Sequence, residues 1–153
     1  MKYRSILSVI LITGMICFIF SFSLQDAPTS SALSKQVTAL VSTLVEQVET
    51  LTTLTPPSNG TIRALAHFSL FFILGCICML CFLCQRRTLL YASRATFLIG
   101  CVAALLDETL QLRSLGRSFQ FVDIGKDVLG ICLSVVLVVI GTKILKCIVK
   151  IRM

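Results

Sequence analysis

The chain has 153 residues, of which 56% are hydrophobic and 14% charged, and its mean hydropathy is +0.96. A soluble domain carries about 25% charged residues, so this composition excludes an ordinary soluble globule and predicts an integral protein of the lipid bilayer. The net charge of +7 does not indicate a nucleic-acid partner, because aromatic residues are few and tryptophan is absent. Basic residues that flank apolar spans explain such a charge better.

The eight cysteines fall almost entirely within apolar segments, whereas a secreted disulfide framework would place them in polar ones. Four of them resemble a metal-cluster motif: Cys76, Cys78, Cys81 and Cys84. At about 100° per residue around one helix, these four thiols point in scattered directions and would not converge on one ion. We interpret the cysteines as thiols buried in the membrane.

The first predicted element is a transmembrane span over residues 5–24, which contain no charge. Its length is sufficient to cross a hydrocarbon core of about 30 Å at about 1.5 Å per residue. A cleaved signal peptide is the alternative. However, the apolar stretch is longer than the usual hydrophobic region of about 7–15 residues, and no clean small-x-small cleavage motif follows.

An outer amphipathic helix is predicted after this span, over about residues 31–51. Its apolar residues recur at helical spacing: Leu33, Val37, Leu40, Leu44, Val48 and Leu51. Such a helix would either lie on the outer leaflet or pack over the other helices as a lid. The sequence TPPSNG ends it before the next span.

Three further spans are predicted over residues 62–84, 91–112 and 122–145. The uncharged cores of the last two are short for a bilayer. Extending them to a sufficient length brings both ends of the segment DETLQLRSLGRSFQFVDIGKDVLG (residues 107–130) into helices. The predicted fold class is therefore all-α, with four transmembrane helices and an outer amphipathic helix, in one domain over residues 1–153.

The distribution of charge predicts the orientation. With both termini on the same side, nine of the fourteen basic residues lie on that side, and all seven acidic residues lie on the other. Cytoplasmic loops are enriched in lysine and arginine. The chain is therefore expected to be a multi-pass protein of the cell membrane with both termini cytoplasmic.

Polar residues collect at the outer ends of the last three spans. The segment 107–130 holds four of the seven acidic residues of the chain. Ionisable groups at membrane depth cost about 2.5–3.5 kcal/mol each, so they usually face one another or a wet cavity. Because His67 lies at the outer end of its span as well, three helices are expected to bring polar groups to similar depth. The sequence therefore predicts one outward-facing polar site.

Residue types and helical spacing suggest roles within this site. A histidine with carboxylates can perform general acid–base chemistry, so the candidate catalytic residues are His67, Asp107 and Asp123. The candidate ligand-binding residues are Arg63, Glu108, Gln111, Arg117 and Asp127. The alternative is that these groups are simply hydrated at the interface, which fits Glu108 and Lys126 best. A histidine and acids can also hold a divalent metal, but no HExxH or other strong metal motif occurs, so no metal ligand is assigned and the cofactor is left open.

Three stretches resemble the VanZ-like family of small integral membrane proteins. FSFSLQDAPTSSALS is similar to its exit from the first helix, and RALAHFSLFFILG resembles its basic-x-x-x-His-Phe motif. The segment 107–130 resembles its most distinctive block, which maps onto Asp107, Glu108, Gln111, Gly116, Arg117, Asp123, Asp127 and Gly130. The chain departs from the family in two places: Phe71 stands where tyrosine is frequent, and Asp127 stands where asparagine is frequent.

The resemblance implies a helical bundle with an outward-facing polar site and an association with lowered susceptibility to glycopeptide antibiotics such as teicoplanin. The implied partners are a lipid-linked cell-wall molecule or the glycopeptide itself. Two other functions fit the residues. One is a membrane-embedded hydrolase or transferase that acts on a lipid-linked head group. The other is a structural or accessory subunit whose polar groups only hold helices together.

Overall fold

The computed structural model describes residues 2–25, 27–48, 58–114 and 119–152. These ranges form five helices and no strand: α1 (Lys2–Ser23), α2 (Ala27–Val48), α3 (Asn59–Cys84), α4 (Leu89–Gln111) and α5 (Phe121–Arg152). The helices α1, α3, α4 and α5 are long and apolar enough to cross a membrane. The predicted fold class, four spans with a further helix after the first, is confirmed.

Helix α3 is the centre of the bundle. It packs against each of the other four helices, and its interface with α5 is the most extensive. Phe71, Leu74 and Cys78 of α3 are fully buried, and they form a core with residues of α1, α4 and α5. Most other large apolar side chains are exposed, as expected for helices whose outer surfaces face lipid.

Small residues permit the close approach of the helices. A Cβ atom placed on Gly130 of α5 would lie 2.5 Å from the backbone oxygen of Phe68 and 3.0 Å from the backbone nitrogen of Phe72. Side chains can move aside but a helix backbone cannot, so α5 and α3 can approach this closely only with glycine here.

The polar helix α2 begins at Ala27, earlier than the predicted start at residue 31. Residues 49–51, at its predicted end, lie outside the described residues, as do the side chains of Leu33, Leu44 and Val48. Ser34 is buried, whereas Val37 and Leu40 are exposed. Because α2 packs on α3, it places the hydroxyl of Ser34 against the bundle and turns Leu40 outward, while Val37 lines a cavity between α1, α2 and α3.

Hydrogen bonds at the ends of α1, α3 and α4 show which helix ends lie together and where two of the helices begin. The guanidinium of Arg4, near the start of α1, donates to the backbone oxygen of Cys84 at the end of α3 (3.4 Å). The start of α1 and the end of α3 therefore share one side of the bundle. Ser58 and Thr88 cap α3 and α4, each accepting a hydrogen bond from a backbone N–H of the first turn.

Candidate functional site

The end of the bundle opposite Arg4 carries the acidic residues of the segment 107–130. Asp107, Glu108 and Gln111 lie in the last two turns of α4, and Asp123 and Asp127 lie in the first two turns of α5. With these residues included, both helices are long enough to span a bilayer. This agrees with the prediction, because the uncharged stretches alone are too short. The helices could not end earlier without leaving a span too short for the bilayer.

Three ionisable side chains from three helices meet at the centre of this end. Nδ1 of His67 lies 3.8 Å from Oδ2 of Asp107 and 3.6 Å from Oδ1 of Asp127. Both carboxylates are buried, with exposed fractions of 0% and 1%, and the imidazole is half-buried. We call His67, Asp107 and Asp127 the central triad. The predicted meeting of α3, α4 and α5 at one depth therefore holds for these three residues.

Asp107 is held by hydrogen bonds from two helices. The hydroxyl of Ser23, at the end of α1, donates to Oδ1, and the side-chain amide of Gln111 donates to Oδ2 at 3.0 Å. Ser114 in turn donates to the backbone oxygen of Ser23 at 3.0 Å. The carboxylate thereby connects the end of α1 to the end of α4, and its orientation toward His67 is set by both.

Neither Ser23 nor Ser114 was predicted from the sequence to be a functional residue. Ser23 lies in the stretch that resembles the family's exit from the first helix, but one serine at a helix end is too common a feature to indicate a role. Only the packing of α1 against α4 reveals that its hydroxyl reaches Asp107.

Glu108 has a different environment from the one that the hydrated alternative predicts. Its exposed fraction is 1%, and Oε1 accepts a hydrogen bond from the backbone N–H of Gln120 at 2.5 Å. The other oxygen, Oε2, has no hydrogen-bond partner among the described residues. Glu108 therefore connects the end of α4 to the segment before α5 through this hydrogen bond.

Asp123 lies at the rim of the site and not at its centre. Its Oδ1 pairs with Nζ of Lys126 at 2.6 Å, and both side chains are partly exposed. Asp127, one turn further into α5, is the carboxylate that faces His67. The prediction of Asp123 as a catalytic residue remains untested, but the position next to the histidine belongs to Asp127.

Two cavities flank the Arg63–His67 face of α3. The larger, about 350 Å³, lies between α1, α2 and α3 and is lined mainly by apolar side chains, including Phe18, Phe22 and Leu70. The smaller, about 160 Å³, lies between α3 and α5 and has a polar lining that includes Gln120, Asp123 and Lys126. Arg63 and His67 line both cavities.

Arg117, predicted as a ligand-binding residue, lies outside the described residues. The other predicted site residues all occur at this end of the bundle, in three settings. Asp107, Asp127 and Gln111 belong to the buried centre beside His67. Arg63 and Asp123 line cavities, and Glu108 contacts the segment before α5. The arrangement suits acid–base chemistry at His67, binding of an anion by Arg63, and binding of a cation by the central triad.

Comparison with known protein families identifies the family of the chain. The profile of the VanZ/LLP1 family matches residues 8–144, which is most of the chain; the match covers α2, α3 and α4 and most of α1 and α5. The chain belongs to the VanZ/LLP1 family. No curated protein and no solved structure matches it significantly.

Membership in the VanZ/LLP1 family accounts for the resemblance of the three sequence stretches. The residues that carry it lie together in space: Ser23 belongs to the first stretch, His67 to the second, and Asp107 and Asp127 to the third. The motifs, dispersed along the sequence, therefore converge on the central triad and its hydrogen-bond partners.

Proposed function

We propose that this VanZ/LLP1 protein binds the anionic head group of a lipid-linked cell-wall molecule at the outer face of the cell membrane. By doing so it lowers susceptibility to glycopeptide antibiotics such as teicoplanin. The observation that carries the proposal is the position of Arg63 and His67 between an apolar cavity and a polar one. A lipid with a charged head group has this same division into apolar and polar parts.

The two cavities suit the two parts of such a lipid. The larger cavity falls within the range of about 300–1,000 Å³ that is usual for ligand sites, and its apolar walls fit a hydrocarbon chain. Beside it, the planar guanidinium of Arg63 offers paired N–H donors, which match the oxygens of a phosphate. The polar cavity on the other side of His67 provides room for the rest of the head group.

Charge distribution supports an outward position of this site. The basic side chains of Arg4, Arg86, Arg87 and Arg94 belong to the opposite end of the bundle, where α1 begins, α3 ends and α4 begins. The positive-inside rule assigns that end to the cytoplasm. The central triad then faces the cell exterior, where lipid-linked cell-wall molecules and glycopeptides are both accessible.

Substitution of Arg63 tests the proposal. In a strain that lacks the gene, expression of the wild-type chain is expected to raise the minimum inhibitory concentration of teicoplanin. Arg63→Gln is expected to remove this protection, because loss of a charge-assisted hydrogen bond of about 1.5–3 kcal/mol weakens binding roughly tenfold or more. Arg63→Lys should protect partly, since lysine keeps the charge without the paired geometry.

The matched control is Lys35→Gln, which removes an exposed cation from α2 that lines neither cavity. It should protect as well as the wild type does. Immunoblots of membranes must show equal amounts of each variant. If Arg63→Gln protects fully, or if Lys35→Gln loses as much protection, Arg63 does not act as proposed.

An enzymatic role is a second candidate, and the central triad favours it. An imidazole beside two carboxylates is suited to general acid–base catalysis in a hydrolase or transferase that acts on a lipid-linked head group. In that case the purified chain would release phosphate or head group from a polyprenyl-phosphate lipid. His67→Gln would abolish turnover. No turnover by the wild-type chain, with or without divalent metal, would contradict catalysis.

A further inference from the structure

The central triad has the composition and spacing of a cation site. One potential ligand atom from each of His67, Asp107 and Asp127 lies within 4.8 Å of the other two, and each atom comes from a different helix. We propose that these three side chains bind a divalent transition-metal cation of the zinc or manganese type. The inference deepens the proposed head-group site and rests on it, because it places the cation beside Arg63.

The distances from His67 to the two carboxylates fit shared ligation of a cation better than a direct hydrogen bond. A charge-assisted hydrogen bond between a ring nitrogen and a carboxylate is about 2.7–2.9 Å long. The two distances from Nδ1 of His67 are 3.6 and 3.8 Å, and neither satisfies hydrogen-bond geometry. Ligand atoms at about 2.0–2.2 Å from a tetrahedral zinc ion lie about 3.4 Å apart. The observed spacing is closer to this value.

Unpartnered buried atoms point to a missing positive group between the ligands. Nδ1 of His67 and Oδ1 of Asp127 are buried and lack a hydrogen-bond partner among the described residues. Asp127 as a whole is 1% exposed, so water reaches it poorly. A protonated His67 would supply one positive charge against two buried carboxylates, which leaves the triad with a net negative charge, and an uncompensated buried charge costs several kcal/mol. A divalent cation between these atoms compensates the charge and satisfies both at once.

Asp107 has the hydrogen-bond support that metal-binding carboxylates usually have. The hydroxyl of Ser23 holds Oδ1, and the amide of Gln111 holds Oδ2. A carboxylate oxygen has two lone pairs, so Oδ2 can accept from Gln111 and bind a cation as well. Outer hydrogen bonds of this kind orient a ligand before the metal arrives.

The donor set indicates the kind of metal. One imidazole nitrogen with two carboxylate oxygens suits zinc or manganese better than magnesium, which prefers an octahedral set of oxygens and several waters. Three protein ligands leave a fourth tetrahedral position. Since His67 lines both cavities, a phosphate oxygen that approaches Arg63 is near that position.

Metal binding by the purified full-length chain tests this inference. The protein is stripped with a chelator in detergent, dialysed against zinc or manganese, and its metal content is measured by elemental mass spectrometry. We expect one ion per chain. His67→Gln and Asp127→Asn should weaken binding at least about tenfold, because even outer-shell changes cost about 10–100-fold. Cys132→Ser, which removes a competing thiol from α5, should leave binding unchanged.

An X-ray absorption spectrum of the zinc-loaded wild type provides a test that needs no variant. It should show only nitrogen and oxygen ligands, including imidazole. A zinc–sulfur contribution, the absence of stoichiometric metal, or equal losses in Cys132→Ser and Asp127→Asn would overturn the inference. If metal is absent while Arg63→Gln still loses protection, only the cation site fails. If metal binds while Arg63→Gln protects fully, the proposed function fails instead.

Discussion

Replacement of Gly130 by alanine is expected to separate α5 from α3 and to lower the free energy of unfolding by about 1–3 kcal/mol, the usual cost of overpacking. The added methyl would lie 2.5 Å from the backbone oxygen of Phe68 and 3.0 Å from the backbone nitrogen of Phe72. The backbone of α3 cannot move aside as a side chain can, so the added methyl forces α5 away from α3. Thermal unfolding of the purified chain in detergent would measure the loss.

The effect of Gly130→Ala should extend to the site. Asp127 lies three residues before Gly130 on the same helix, so a shift of α5 moves this carboxylate away from His67. We therefore expect the variant to lose metal affinity and teicoplanin protection along with stability. Retention of all three properties would show that the contact between α3 and α5 is not what holds the triad together.

Gly125→Ala is the matched control on the same helix. A Cβ atom at Gly125 meets nothing within 4 Å. Alanine is favoured over glycine in a helix by about 1 kcal/mol, so this variant should be equal to or slightly more stable than the wild type. A loss of stability as large as that of Gly130→Ala would contradict the packing explanation.

Asp107→Asn is expected to abolish protection against teicoplanin while the protein still folds and reaches the membrane. Asparagine has nearly the same shape, and its oxygen can still accept from the hydroxyl of Ser23. Its NH2 group replaces the oxygen that accepts from Gln111, so the side-chain amide of Gln111 must turn over to present its oxygen. The substitution removes one of the two negative charges beside His67 and leaves that of Asp127, so a divalent cation in the central triad is bound much more weakly. Drug susceptibility, normalised to the amount of protein in the membrane, gives the readout.

This variant separates a functional site from the structural alternative, in which the polar groups only hold helices together. A purely structural Asp107 would tolerate asparagine with a stability change of about 1 kcal/mol and full protection. Thr109→Ala, an exposed change on the same helix, should behave as the wild type. Full protection by folded Asp107→Asn would favour the structural role.

Much of the fold could be predicted from span length and charge. The uncharged stretches before Asp107 and after Asp127 are each too short to cross a bilayer. The acidic residues therefore had to belong to α4 and α5. The depth of a residue in the membrane follows from counting residues along a helix at about 1.5 Å each. The sequence therefore also predicted that three helices bring polar groups to similar depth.

The rotation of each helix about its axis and the packing between helices could not be predicted from the sequence. Asp123 and Asp127 share one face of α5, and helical spacing alone cannot tell which of them is covered by α3. The hydrogen bond from Ser23 depends on the packing of α1, and the burial of Glu108 depends on the segment before α5. These features require tertiary contacts that no local pattern in the sequence encodes.

The central claim is that His67 and Asp107, distant in sequence, belong to one site for an anionic lipid. A double-mutant cycle measures this directly. The affinity of a polyprenyl-phosphate lipid for the purified, zinc-loaded chain in phosphatidylcholine nanodiscs is determined for the wild type, His67→Gln, Asp107→Asn and the double variant. Both side chains act on the anionic lipid through the proposed cation, because a carboxylate without a cation would repel it. We expect each single change to weaken binding and the double variant to be little weaker than either, with a coupling energy of about 0.5–3 kcal/mol. Losses that simply add, or wild-type affinity in both single variants, would contradict a common site.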